Sequence, residues 1–122
     1  MSENNWVAVV DDDESVRESL PDLLRAFGYK ARPFASAEEF LGNEGPDPVC
    51  LVLDVSMPGM SGPELQAHLQ RKGRRIAIVF ISAHSQDDLW PALAKSGAVA
   101  CLVKPFSEDM IIDAVRLAVD QG

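Results

Sequence analysis

Asp11, Asp12, Asp54, Ser82 and Lys104 lie far apart in the chain, yet each stands at or just beyond the end of a short apolar run. Three carboxylates, a hydroxyl and an ammonium brought together could bind a hard divalent cation and act on an anionic group. Oxygen donors of this kind suit Mg2+, which takes one or two carboxylates and keeps several waters. The need is sharpest where "VAVV" runs into Asp11, Asp12 and Asp13. Like charges that close repel, and burying them is costly without a compensating cation. Asp54 after "LVL" raises the same problem, because a carboxylate closing a buried strand costs free energy without a partner. A plainer reading stays open beside it. Asp13 reads as a helix N-cap, and the whole triplet could be capping and solvated turn. Serine often ends strands, and Lys104 could point to solvent.

For these residues to meet, the ends of several apolar runs must share one edge. The run at 6–10 precedes a helix in which Val16, Leu20, Leu23, Leu24 and Phe27 recur on one face, closed by Gly28. Pro21 falls off that face but inside the helix, where it should remove a hydrogen bond and kink the axis. "YKARPF" reads as a second strand. "SAEEFLG" reads as a short helix with a capping box of Ser36 and Glu39, stopped at Gly42. "VCLVLDV" is a third strand, followed by a helix in "GPELQAHLQRKG" with Leu65 and Leu69 on one side. "IAIVFIS" is a fourth strand, about 87–96 a fourth helix, and "ACLV" a fifth strand. Ile111, Val115 and Ala118 mark one face of the last helix. Five strand–helix pairs with continuous apolar strands predict an α/β fold, a parallel sheet covered by helices on both faces. Ligands of such sheets bind at the carboxyl ends of the strands, near the switch in strand order.

Composition narrows the function classes. The chain has 122 residues, enough for one domain with a sizeable core. No apolar run approaches the ~18 residues of a membrane span, and "MSENNW" has no signal-peptide pattern. With 19 acidic and 11 basic residues the net charge is −8, which repels phosphate backbones, so no nucleic acid is expected to bind this domain by itself. A cation or a basic protein surface fits better. Cys50 and Cys101, in apolar runs, read as buried reduced thiols in a cytoplasmic protein. "MPGMSGPEL" lacks the G-x-x-x-x-G-K-[ST] of a nucleotide loop. His68 reads as a solvated helix residue, while His84, two past Ser82, could border the site.

"VVDDDESVRESL", "LVLDVSMPGMSG", "VFISAH" and "LVKPF", in that order and spacing, resemble the receiver domain of bacterial two-component response regulators, FixJ-like regulators above all. The likeness covers essentially the whole chain, so 1–122 reads as one receiver domain. It implies a CheY-like (βα)5 fold with strand order 2-1-3-4-5. It also implies transfer of a phosphoryl group from a sensor histidine kinase to Asp54. On the matching positions, Asp12, Asp54 and the Ser56 backbone carbonyl would bind Mg2+, with Asp11 acting through water. Lys104 would pair with the phosphoryl oxygens or, before transfer, with Asp54. Ser82 would donate a hydrogen bond to the new phosphate. The Lys104–Pro105 peptide is expected to be cis, and the fourth helix, fifth strand and fifth helix to form the partner or homodimer surface. A C-terminal DNA-binding output domain could follow beyond this chain.

Departures from the family pattern touch the switch rather than the chemistry. Cys101 stands where an aromatic residue is usual, Ser82 replaces a commoner threonine, and Pro91 falls early in the fourth helix. That helix is expected to start near Asp87 or Asp88, leaving "AHSQ" as a loop that moves on activation. Two other classes compete. A Mg2+-dependent phosphohydrolase would need a D-x-D motif, but Asp54 is followed by Val55 and Ser56. A receiver-like module that takes no phosphate would not need the complete acid–serine–lysine set.

Overall fold

The computed structural model describes residues 6–83 and 90–121. Strands β1 (Trp6–Val10), β2 (Lys30–Phe34), β3 (Cys50–Asp54), β4 (Ala77–Ser82) and β5 (Ala100–Val103) form one sheet in the order 2-1-3-4-5. Every pairing is parallel. Helices α1 (Glu14–Ala26), α2 (Ala37–Leu41), α3 (Gly62–Arg71), α4 (Trp90–Lys95) and α5 (Glu108–Gln121) connect and cover the strands. His84, the loop at 84–86 and the expected helix start near Asp87 or Asp88 lie outside the described residues.

The strand sequences explain the layers. Successive side chains point to opposite faces, so a strand buried on both sides must be apolar throughout. Ala8, Val10, Leu51, Leu53, Ile78 and Phe80 join α2, α3 and α4 on one face. Val7, Val9, Cys50, Val52, Val79 and Ile81 join α1 and α5 on the other. The two edge strands, β2 and β5, are only partly buried. Pro33, which has no N–H to donate, is tolerated on such an edge. Across β2, the Arg32 guanidinium lies 5.4 Å from the Trp6 ring centroid and 5.6 Å from that of Phe34.

Two helix expectations are corrected. Pro21 is buried with Leu20 and Leu24, and α1 runs as helix from Glu14 to Ala26 across it. The buried arc is rotated toward Pro21, so Val16 and Leu23 form its half-buried rim. Phe27 is the C-cap, 48% exposed, because the chain leaves the helix there and turns at Gly28, φ 94°. The periodic stripe therefore located the helix but misplaced the centre of its buried face. Ser36 accepts the Glu39 N–H as expected, but the reciprocal capping box sits at Ser61 and Glu64, opening α3. Ile111, Val115 and Ala118 are all fully buried. Cys50 is buried and Cys101 only half-buried; both are free thiols, on opposite faces of the sheet. No helix among the described residues is long and apolar enough to cross a membrane.

Gly62, the first residue of α3, lies against the end of β3. A Cβ there would fall inside the van der Waals surface of the Asp54 carbonyl oxygen and 3.1 Å from the Phe80 ring. Gly62→Ala should therefore destabilise the fold by about 1–3 kcal/mol, the usual cost of forcing atoms into a filled interior. An unchanged urea midpoint would contradict that packing.

Candidate functional site

The sheet order creates the site. The chain leaves β1 for β2 on one side and returns to β3 on the other, so a crevice opens between the ends of β1 and β3. Asp11 and Asp12 follow β1, and Asp54 is the last residue of β3. One carboxylate oxygen from each of these three lies within 4.8 Å of the others. Asp11 is fully buried, Asp54 is 5% exposed, and Asp12 faces solvent. Ser82, 2% exposed, ends β4 beside Asp54's neighbour Ile81. The Lys104 N–H donates to the Ser82 carbonyl at 2.7 Å, which ties the end of β5 to the end of β4. The Lys104–Pro105 peptide is cis, as expected.

Each carboxylate of the acidic triplet has a different task. Asp13 is the N-cap of α1: its Oδ1 accepts from the Ser15 backbone N–H and from the Ser15 hydroxyl, both at 2.9 Å. Those bonds hold its carboxyl below the usual range. Asp11 Oδ1 accepts the Asp13 N–H at 2.9 Å, while Oδ2 faces Lys104 Nζ at 2.8 Å. Apart from this ion pair, the buried Oδ2 has no hydrogen-bond partner among the described residues. An oxygen-seeking cation would satisfy it. The donor set, three carboxylates, is the hard-oxygen kind that Mg2+ prefers. The residues fit the ion.

The ion pair of Lys104 with Asp11 corrects the expectation of a pair with Asp54. Desolvation, the repelling charge of Asp11 and hydrogen bonding with Asp11 and Asp12 push the Asp54 carboxyl up to about 7, against a smaller opposing pull from Lys104. The ammonium itself lies on Asp11, whose side chain is fully buried. Burial alone would lower the Lys104 pKa, but contact with Asp11 and the charges of Asp54 and Asp13 outweigh it and leave the pKa raised.

Three further residues support the site without any signal that sequence reasoning recognised. The Arg17 guanidinium donates to the Asp11 carbonyl at 3.1 Å, tying α1 to the end of β1. Gly62 closes the β3–α3 loop by donating its N–H to the Val55 carbonyl at 3.0 Å. Glu38 on α2 accepts the Met60 N–H of the same loop at 3.0 Å. Ser56, the expected carbonyl ligand, lies exposed in that loop. His68, half-buried on α3, is not in the acidic cluster, and Cys50, its thiol pushed up to about 12 by burial, lies within the core.

Comparison with known proteins agrees with this geometry. The profile of the response regulator receiver domain family matches residues 7–116. The chain is 40% identical over 114 residues to the response regulator protein TmoT of Ectopseudomonas mendocina, covering 93% of this chain and 52% of that protein. It is 41% identical over 123 residues to the transcriptional regulatory protein FixJ of Azorhizobium caulinodans, covering 100% of this chain and 58% of that protein. The chain thus spans little more than half the length of these curated relatives. A crystal structure titled FixJ-N superposes with a TM-score of 0.87 at 34% identity, covering 99% of this chain and 98% of that one.

The raised Asp54 pKa predicts a pH dependence for the cation-free protein. The native state holds this proton more tightly than the unfolded chain, whose carboxyl titrates near 4. The stabilisation is complete below that value and is lost as pH rises toward 7. Asp54→Asn removes the titration. It should raise stability at pH 8 without divalent cations by on the order of 1–3 kcal/mol, with the gain shrinking toward pH 4. Urea unfolding of both proteins across this range checks it; a pH-independent difference would contradict the assignment.

Proposed function

We propose a phosphoacceptor role for this chain, which belongs to the response regulator receiver domain family: Asp54 takes a phosphoryl group from a sensor histidine kinase, and the domain passes the change to an output domain or partner. The observation that carries this reading is the convergence of Asp11, Asp12 and Asp54 oxygens within 4.8 Å, with the Lys104 ammonium at the same place. Asp12, Asp54 and the Ser56 carbonyl would hold Mg2+, with Asp11 acting through water. The bound ion supplies charge neutralisation for an incoming phosphoryl group, which three carboxylates would otherwise repel.

The chain's own residues do the rest. An Asp54 carboxylate oxygen attacks phosphorus as the bond from phosphorus to the kinase imidazole nitrogen breaks. The product is an acyl phosphate on Asp54, and the released imidazole keeps the bonding electrons and takes a proton. Positioning and electrostatics dominate such a transfer. Lys104 shifts from Asp11 to the phosphoryl oxygens, and Ser82 donates to the product and so reports its presence. The step is regulatory rather than a multiple-turnover reaction.

Output surfaces follow from what is exposed. Val103 at the end of β5 and Met110 and Leu117 on α5 are 40%, 50% and 50% exposed, apolar groups that suit a partner or a second copy. Cys101 is too small to swing as the usual aromatic does, so the change leaves without an aromatic swing at that position. By analogy with the transcriptional regulatory protein FixJ, the output is transcriptional.

Acetyl phosphate with Mg2+ should add one phosphoryl group to the protein by mass spectrometry. Chelation should suppress the gain, and Asp54→Asn should abolish it. Labelling that survives the substitution would overturn the reading.

A further inference from the structure

We propose that Glu38 is a positioning residue for the cation site, holding the β3–α3 loop so that the Ser56 carbonyl faces the ion. The inference rests on the phosphoacceptor reading above. Glu38 is on a different element from the site and 22 positions from its partner, yet its Oε2 accepts the Met60 N–H at 3.0 Å. Helix α2 is a firm base for it, because Ser36 caps the helix and Ala37 and Phe40 are buried. The loop is shaped to receive the carboxylate. Gly59 has φ +75°, and a Cβ there would come 2.9 Å from Glu38 Oε2, closer than real side chains allow. A side chain at 59 would strain the backbone and make the Glu38 carboxylate shift from its present place.

The loop's other anchors leave its middle to Glu38. Val55 donates to the Ile81 carbonyl at 2.9 Å, and Gly62 donates to Val55 at 3.0 Å; these fix the ends. The Ser61 N–H is taken by Glu64 at 2.8 Å, within α3's own capping box. Met57 is buried, but 56, 58 and 59 are exposed. The bond from the Met60 N–H to Glu38, though exposed, ties the middle of the loop to a second element. It matters because Mg2+ demands near-octahedral geometry at about 2.0–2.1 Å, so a displaced carbonyl is a lost ligand. Groups that orient metal ligands typically change affinity about 10–100-fold when removed.

Calorimetric titration with MgCl2 at fixed ionic strength, on wild type, Glu38→Ala, Glu38→Gln and Gly59→Ala, tests the proposal, with a thermal melt of each. Glu38→Ala should weaken Mg2+ binding about tenfold. Glu38→Gln, whose amide oxygen can still accept the Met60 N–H, should stay within about twofold of wild type. Gly59→Ala, which pushes the carboxylate off the loop, should resemble Glu38→Ala and carries the same expectation if that variant does not fold. Wild type that binds Mg2+ beside a Glu38→Ala protein of equal affinity overturns the proposal, whatever the melting temperatures. So does Glu38→Gln failing as badly as Glu38→Ala, since charge and not the hydrogen bond would then be responsible. Wild type that binds no Mg2+ overturns the phosphoacceptor reading itself, and this inference with it.

Discussion

Asp11 and Asp54, two buried carboxylates at the ends of adjacent strands, face each other with one ammonium between them and solvent. Burial disfavours both charges and each disfavours the other, so the site is electrostatically incomplete on its own terms. The protein answers partly by keeping a proton on Asp54 and partly by bringing Lys104 to Asp11. Three acidic side chains therefore share one nearby ammonium.

Much of the fold maintains that tension. The strands behind the site are apolar on both faces, which keeps water and counter-charge away from Asp11 and Asp54. Asp11 is held by three contacts: its N–H donates to Phe34 in β2, its carbonyl accepts from Arg17 in α1, and Oδ1 accepts from Asp13, the N-cap of α1. Asp54 is held from behind by Gly62, which admits no side chain. Lys104 comes from edge strand β5, and its side chain must cross the ends of β4 and β3 to reach Asp11. That path passes the end of β3, which carries Asp54.

The same architecture explains why Cys101 can stand where the family places an aromatic. Position 101 contributes only a half-buried side chain at the rim of the layer formed with α2, α3 and α4, while Phe80, paired to it across β4 and β5, is fully buried. The core is therefore complete without a large group at 101.

The five strands, their burial on both faces and the placement of acids at their carboxyl ends were legible in the sequence, because strand pattern is local and the connection of each strand to a helix forces a parallel sheet. The family motifs added the strand order and the cis peptide at Lys104–Pro105, which no periodicity encodes. The rest depended on distances between residues remote in the chain. The stripe of α1 could not show that its buried centre lies toward Pro21, since that depends on how the helix seats on β1 and β2. "SAEEFLG" showed a capped helix but not that Glu38 reaches Met60, and "MSGPEL" did not show that Gly62 abuts Asp54. Above all, sequence could assemble the acids and the lysine but not decide which carboxylate the lysine takes. Tertiary structure decides it, because only the packing of the strand ends sets which carboxylate lies within reach of the lysine, and that is Asp11 at 2.8 Å.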